Sequence, residues 1–297
     1  MIVEEFTAHR FSCIIKGRFS IAVTGSINNK TASRHNRYYG MNKNKTNHPC
    51  PLRLVLAALF WVAVWQVVAM AVGQGILLAS PVDTLLRLAA LVRTGGFWRS
   101  VLFTLGHILA GYALASAAGI ALATLASRYA PVADLLSPLL SAMRSVPVAS
   151  FVIAALIWVP SRRLSLLIVA VIVLPVVYAG TLDGLRQIDP RLTEMARVFA
   201  MPRANRLRCV ALPALMPSLT SALSVAMGLA WKSGVAAEVI GIPNGSIGER
   251  LYKAKVYLAT PDLFAWTLTI VLISAGCTRL LRAGLGRLSE VWEKEKF

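Results

Sequence analysis

Apolar residues are gathered along this chain into six blocks, each close to the length that a helix needs to cross a membrane. A helix rises about 1.5 Å per residue, so roughly 20 residues cover the hydrocarbon of a bilayer. Because a backbone in lipid must satisfy its own hydrogen bonds, every block is predicted to be helical, including the fourth, which is rich in β-branched residues. The predicted spans are Leu52–Val72, Ser100–Ala126, Leu139–Val159, Leu164–Leu182, Leu212–Trp231 and Leu263–Leu281.

The composition supports a membrane protein. Hydrophobic residues make up 57% of the 297 residues and charged residues only 15%, and the mean hydropathy is +0.64. Soluble domains are about 45–50% apolar and about 25% charged. The net charge of +18 could indicate a nucleic-acid partner, but the charges lie mostly between the apolar blocks, as in membrane proteins with basic cytoplasmic loops. The sequence therefore predicts an all-α integral membrane protein with six transmembrane helices and no nucleic-acid partner.

Basic residues also predict the orientation. With six spans both termini lie on one side, and 22 of the 31 Lys and Arg residues fall on that side against nine on the other. Since basic loops are retained in the cytoplasm, the N- and C-termini are predicted to be cytoplasmic. The pair Arg162–Arg163 lies on the opposite side and runs against this rule.

The first 50 residues form a separate region. They are rich in Asn and basic residues and contain no apolar run long enough to span a membrane. We expect residues 1–50 to be a basic, disordered N-terminal extension; an alternative is that translation starts at Met41. The remaining residues, 51–297, are predicted to form the transmembrane domain.

A polar loop at about 186–211, between the fourth and fifth spans, is patterned. Asp189 followed by Pro190 predicts a helix start, since Asp accepts a hydrogen bond at the N-cap and proline suits the first helical position. A second short helix is predicted from Pro202 towards Val210. Four residues at helical spacing form an apolar stripe on the first of these helices: Leu192, Met195, Ala196 and Phe199. An apolar stripe on a helix too short to span the membrane needs a partner protein or the membrane surface.

The same loop resembles the EAA loop of binding-protein-dependent ABC import permeases, whose pattern is Glu-Ala-Ala, a spacer, Gly, a longer spacer and then Ile-x-Leu-Pro. This chain has Glu194-Met195-Ala196, then Ala200, then Val210-Ala211-Leu212-Pro213. It departs from the pattern at Met195 and at Ala200. The second departure concerns the turn, because a positive φ suits glycine and costs alanine about 1–2 kcal/mol. We expect the turn to close differently in this chain, or to be set by Pro202.

Two more stretches resemble the same family. The first is Leu139–Pro147, in which Arg144 is closely followed by Pro147, and the second is Trp231–Glu238, followed by the turn Gly245–Gly248. The resemblance covers roughly residues 50–290 and indicates the nitrate/sulfonate/taurine branch. It implies the type I ABC importer permease (MetI-like) fold in a bacterial inner membrane.

The resemblance also implies partners and a mechanism. Two permease copies, expected to be a homodimer, would assemble with two ABC ATPase subunits in the cytoplasm and an extracytoplasmic substrate-binding protein. ATP would bind the ATPase, whose closure would move the loop and switch the pathway between two states. This chain has no phosphate-binding loop, so we expect no enzyme activity, catalytic residue, cofactor or metal on it. The residues implied in ATPase coupling are Glu194, Met195, Ala196, Phe199, Ala200, Met201, Leu212 and Pro213.

Polar and special residues at the spans are candidates for the translocation pathway or its gate, because charges at membrane depth are expensive. Lys232 and Glu238 have an alternative interpretation: both could snorkel to the interface, or they could satisfy each other through a bend at Gly234. The candidates are Arg144, Pro147, Trp231, Lys232 and Glu238.

The solute is predicted only as a class. The branch implies a small anionic solute such as nitrate, a sulfonate or taurine. One alternative is the same transporter type for a thiamine-precursor pyrimidine. Another, from a different class, is a six-span secondary transporter, which predicts coupling carboxylates deep in the spans; the apolar blocks contain almost none, and the patterned loop would have no role.

Overall fold

The structure, a computed structural model, describes residues 51–73, 75 and 77–294. All regular structure in this part of the chain is helical. The helices are α1 (Pro51–Val72), α2 (Pro81–Val92), α3 (Gly95–Arg128), α4 (Ala130–Ser145), α5 (Val148–Ala155), α6 (Ser161–Arg186), α7 (Pro190–Val198), α8 (Arg203–Arg206), α9 (Leu212–Gly241), α10 (Ile247–Val256) and α11 (Thr260–Lys294), with a π-helical turn, Leu207–Ala211, between α8 and α9.

The chain divides into two compact units, residues 1–58 and 59–297. Of the first unit the structure describes only residues 51–58, the beginning of α1. The expected N-terminal extension, 1–50, and the alternative start at Met41 therefore lie outside the described residues. The fold and the site below belong to the second unit.

Helices α3 and α6 run in the same direction through the core of the second unit. A Cβ added to Gly111 of α3 would lie 2.7 Å from the carbonyl oxygen of Leu166, and one added to Gly119 would lie 3.1 Å from that of Leu174. Small residues let the two backbones approach this closely.

Helix α9 runs antiparallel to α6 and completes the core. A Cβ at Gly180 would lie 2.2 Å from the Cβ of Ala222, and one at Gly184 would lie 2.8 Å from Cδ1 of Leu215. The hydroxyl of Tyr112 in α3 also donates a hydrogen bond to a carbonyl of α9, at 3.1 Å. The buried residues that these three helices share are Ile108, Tyr112, Ala115, Val169, Val173, Val177, Leu223, Ala226, Met227, Ala230 and Trp231.

Five helices are long and apolar enough to cross a membrane, namely α1, α3, α6, α9 and α11. The pair α4 and α5 makes a sixth if the two count as one span, although they are bent by 101°. Because α3 and α6 run in the same direction, the chain between them must return along the bundle, and α4 with α5 makes that return. The structure therefore agrees with six predicted crossings, of which the third is broken.

The broken third span corrects the sequence prediction. One helix is predicted over Leu139–Val159, but α4 ends at Ser145 and α5 begins at Val148. Pro147 lacks an amide N–H and favours an extended conformation in the residue before it, and Val146 indeed has φ −70° and ψ 127°. Arg144 and Ser145 interrupt the apolar block just before this point, but the apolar residues on both sides favour a single span.

Helix α9 is longer than its predicted span, Leu212–Trp231, because it continues to Gly241. Its additional turns are covered by neighbouring helices, since Ser233, Ala237 and Glu238 are buried. A span predicted from hydropathy ends where polar residues begin. The helix itself continues because neighbouring helices surround those polar residues.

Candidate functional site

Helix α7 lies in the loop between α6 and α9, and its start confirms the prediction. Pro190 is its first residue, and the backbone N–H of Arg191 donates a hydrogen bond to Oδ1 of Asp189 at 2.8 Å. Asp189 therefore caps the helix, with its carboxylate at the positive end of the helix dipole.

Large apolar side chains are exposed along α7 and the residue after it. Val198 is 83% exposed and Phe199 is 74% exposed, while Leu192 and Met195 are 45% and 48% exposed. We call these four residues the exposed apolar surface of α7. Sequence reasoning missed Val198, although it lies three residues after Met195 and so continues the stripe. A contiguous apolar surface of this kind marks a contact site.

Ala196 does not belong to that surface. It is only 1% exposed, so the predicted four-residue stripe is wrong at this position, because Ala196 lies on the inner side of α7. Glu194 and Met195 are exposed, as is Phe199. Glu194, Met195 and Phe199, which were predicted for ATPase coupling, are therefore accessible to a partner. Ala196, predicted with them, is enclosed and supports the helix instead.

The turn after α7 closes with Ala200 in the left-handed region, at φ +47°. The N–H of Met201 donates a hydrogen bond to the carbonyl of Ala196 at 2.9 Å, which is a helix ending that usually has glycine at its left-handed position. The expectation that the turn closes differently is therefore wrong, since Ala200 adopts the left-handed conformation that suits the family glycine, at a cost of about 1–2 kcal/mol.

The second half of the loop is not the separate helix that the sequence predicts from Pro202 to Val210. Helix α8 is a single turn, and the chain continues through the π-helical turn into α9. Pro213 explains the wider turn, because it has no N–H for the carbonyl four residues before it. Leu212 and Pro213 consequently lie in the first turn of α9, where both are half-buried, as is Met201 before them.

Arg144 and Pro147 lie at the break between α4 and α5. Nη2 of Arg144 donates a hydrogen bond to the backbone carbonyl of Pro175, inside α6, at 2.8 Å. Pro147 is the N-cap residue of α5. Arg144 thus ties the end of α4 to α6, and Pro147 lies at the break itself.

The other three pathway candidates lie on α9 in different surroundings. Trp231 is buried in the core that α3, α6 and α9 share, Lys232 is exposed, and Glu238 is fully buried. The helix is continuous through Gly234, and no ion pair joins Lys232 to Glu238 in the described part of the chain. The alternative in which a bend at Gly234 lets the two charges satisfy each other is therefore wrong.

Glu238 joins three helices through hydrogen bonds. The hydroxyl of Thr104 in α3 donates to Oε2 of Glu238 at 2.7 Å, and the N–H of Gly248 in α10 donates to the same oxygen at 3.3 Å. The N–H of Ile247 donates in turn to Oγ1 of Thr104 at 3.0 Å. We call these four residues the Glu238 junction. Glu238 thus has partners that compensate in part for burying a carboxylate.

The junction needs a glycine at position 248 and a hydroxyl at position 104. A Cβ at Gly248 would lie 2.3 Å from the Cβ of Glu238. Sequence reasoning missed Thr104, whose only signal is that it is polar in an apolar block. Across residues 51–73, 75 and 77–294, no group of three His, Cys, Asp or Glu side chains is placed to hold a metal ion.

The chain matches a known family over more than half of its length. The family described as binding-protein-dependent transport system inner membrane component matches residues 115–285, more than half of the chain. That stretch contains the whole α7 loop and, of the junction, Glu238, Ile247 and Gly248.

Individual relatives and one solved structure agree with this match. The chain is 27% identical to a Bacillus subtilis protein named as an aliphatic sulfonates transport permease protein, SsuC, over 71% of this chain and 77% of the relative. It is 24% identical to the nitrate import permease protein NrtB of Synechococcus elongatus, over 80% and 89%. A crystal structure of an amino acid ABC transporter with histidines shares the fold, with a TM-score of 0.53 and 18% identity over 68% of this chain and 97% of that one. The chain belongs to the binding-protein-dependent transport system inner membrane components and is a membrane-embedded permease component of an ABC transport system.

Proposed function

We propose that this chain forms the translocation pathway of an ATP-binding-cassette importer for a small anionic solute, and that α7 couples the pathway to a separate ATPase. The observation that carries the proposal is the exposed apolar surface of α7, which lies in a loop between two membrane-spanning helices. At nine residues, α7 is too short to cross a membrane. It therefore needs another surface to cover its apolar side chains.

A groove on a protein suits α7 better than the lipid surface does. Arg191 and Glu194 are both exposed on the same helix, and a protein surface can pair charges of both signs, whereas an anionic leaflet attracts only the cation. The strained turn at Ala200 also fixes the angle at which α7 leaves the membrane domain. A fixed angle is useful for engaging a shaped groove and has no value for lying on lipid.

Movement of α7 would reach the core directly. Helix α7 follows α6, and Asp189 caps its first turn. After the turn at its end, residues 203–241 are helical without a gap and include α9. Since α6 and α9 pack backbone to backbone at Gly180, a displacement of the loop acts on both core helices as one body. This is the geometry needed for an ATPase with two states to switch a pathway with two states.

The proposed assembly has two copies of this chain, two ATPase subunits that bind ATP on the cytoplasmic side, and an extracytoplasmic substrate-binding protein. The loop and both termini are cytoplasmic in this proposal, which is supported by the excess of basic residues on that side. An anionic solute is supported by the names of the relatives, one for aliphatic sulfonates and one for nitrate.

The test is the association of the permease with its ATPase. Phe199→Asp should fold and insert normally because Phe199 is exposed, but it should bind the ATPase at least about 30-fold more weakly, as expected for a central interface residue. Solute-stimulated ATP hydrolysis should fall with it. The matched control is Leu207→Asp, which alters another exposed apolar side chain of the same loop outside α7. Equal ATPase binding by the two variants would exclude α7 as the coupling element.

Ala196→Asp separates docking from support. Because Ala196 is buried, an aspartate there should loosen α7 itself, which would speed amide hydrogen exchange in α7 before any ATPase is added. Phe199→Asp should leave that exchange unchanged.

A further inference from the structure

A cavity of about 740 Å³ lies at the end of the core helices opposite α7. It forms where α3 and α6 begin, where α9 ends and beside α10. We call it the basic cavity, because four cationic side chains line it and only one carboxylate does. The cations are Arg99, Arg162, Arg250 and Lys253.

The one carboxylate is already engaged. Nζ of Lys253 donates to Oε1 of Glu249 at 2.6 Å, and the N–H of Gly245 donates to Oε2 at 2.6 Å. Burial raises the pKa of the Glu249 carboxyl, but these hydrogen bonds and the charges of Lys253 and Arg250 lower it by more, so the pKa lies below its ordinary value. Glu249 is therefore ionised, and both of its oxygens are already bound, one by Lys253 and one by the loop before α10.

The three arginines form no ion pair within the described residues, although the charge of Arg250 lowers the pKa of Glu249. Among the residues that the structure describes, none of the three has a carboxylate oxygen within 4 Å. Two are held by other groups: the guanidinium carbon of Arg162 lies 5.9 Å from the centre of the Phe103 ring, and Nε of Arg250 donates to Oγ of Ser100 at 3.4 Å. Such contacts orient a guanidinium without neutralising it.

Two helix N-termini add positive potential to the same space. Gly96, near the start of α3, and Ser161, the first residue of α6, both line the cavity. Neither helix has a side-chain cap on its first turn, so N–H groups without a helical partner and the positive dipole ends remain available. An oxyanion at such a position gains hydrogen bonds from the backbone as well as from guanidinium groups.

We propose that the basic cavity binds a small oxyanion on the extracytoplasmic side, before the anion enters the translocation pathway. The inference rests on the proposed function for its sidedness and for the solute class. The size of the cavity fits a small solute with its waters. An acidic protein is the competing occupant, and it is less suited because the charges line a concavity between helix ends.

The experiment measures the potential in the cavity by thiol chemistry. Asn244 is exposed, uncharged and lines the cavity, so Asn244→Cys in a background without the native cysteines gives a probe within the assembled transporter. A sulfonate-bearing methanethiosulfonate reagent should react faster there than a trimethylammonium-bearing one of similar size. At the control variant Val82→Cys, an exposed position on α2, the two rates should be similar.

Neighbouring arginines supply the matched comparison. Arg162 lines the cavity and Arg163 does not, although both are exposed. Arg162→Gln should lower the ratio of the anionic to the cationic rate about tenfold, within the range over which focused charge alters association, and Arg163→Gln should leave it nearly unchanged. Nitrate or ethanesulfonate at millimolar concentration should protect the Asn244→Cys thiol, and Arg162→Gln should abolish the protection. An equal effect of the two arginine substitutions, or no protection by either anion, would overturn the proposal.

Transport by the same complex in vesicles separates this inference from the proposed function. If nitrate or ethanesulfonate is taken up but does not protect the thiol, the proposed anion importer stands and the proposed site in the basic cavity is wrong. Protection without uptake of either anion would keep the site and reject the proposed solutes. If Arg162→Gln weakened only the binding of the substrate-binding protein and left protection intact, the cavity would be a protein-docking surface and the inference would be wrong.

Discussion

The Glu238 junction buries a charged side chain, whereas the exposed apolar surface of α7 leaves large hydrophobic side chains in contact with solvent. Each is the opposite of the usual pattern, in which hydrophobic residues are buried and charged residues are exposed. At the junction a carboxylate has no exposed area, and at α7 the side chain of Phe199 is 74% exposed. The junction compensates for burial within the chain, since Thr104 and Gly248 donate hydrogen bonds to Glu238. The α7 surface has no such compensation among the described residues. The contrast teaches that a buried charge with partners holds helices together, whereas an apolar surface without them awaits another molecule.

The largest expected effect breaks the junction sterically. Gly248→Ala would place a methyl group 2.3 Å from Cβ of Glu238, so α10 must move and the stability should fall by about 3 kcal/mol, at the upper end for overpacking. The matched control is Gly106→Ala, where the added carbon meets nothing within 4 Å and the helix gains about 0.5–1 kcal/mol. Thermal unfolding in detergent should shift in opposite directions for the two variants. A shift in the same direction would show that the junction is not tightly packed.

The next effect removes the acceptor without adding bulk. Glu238→Ala leaves the hydroxyl of Thr104 and the N–H of Gly248 without their acceptor, which should destabilise the protein by about 2 kcal/mol. Glu238→Gln retains one oxygen acceptor and should lose less than half of that. Unfolding midpoints of the two variants measure the difference. Equal losses would mean that the charge of Glu238, and not its hydrogen bonds, is what matters.

The smallest effect acts on the α7 side of the comparison and has the opposite sign. Ala200→Gly relieves the left-handed alanine at φ +47° and should stabilise the end of α7 by about 1 kcal/mol, slowing amide exchange in α7 about fivefold. Ala110→Gly, at an exposed helical position of α3, should instead destabilise its helix by a similar amount. If Ala200→Gly speeds exchange, the left-handed turn does not form in solution.

Local patterns predicted much of this molecule. The apolar blocks gave the number of crossings, and Asp189 with Pro190 gave the start of α7. Each of these depends on a few neighbouring residues or on the solvent around one helix.

Features that depend on distant parts of the chain were not predicted. Glu238 is buried because α3 and α10 pack over it, and no spacing within α9 records that Thr104 lies opposite. Ala196 faces inward for a similar reason, since helical periodicity gives a stripe but not its edges. The break was marked by Pro147 and by the polar residues Arg144 and Ser145 before it, yet the apolar residues on both sides made one span the simpler interpretation.

The close contact at Gly180 and Gly184 also has a consequence for synthesis. Helix α6 leaves the ribosome before α9, so its glycine face enters the membrane without the residues that later cover it, Leu215 and Ala222. During that interval the face lies against lipid or against an insertion factor. We therefore expect the nascent protein to be most open to quality-control proteolysis after α6 has inserted and before α9 has, and a chain arrested in translation between the two should be degraded faster than one arrested after α9.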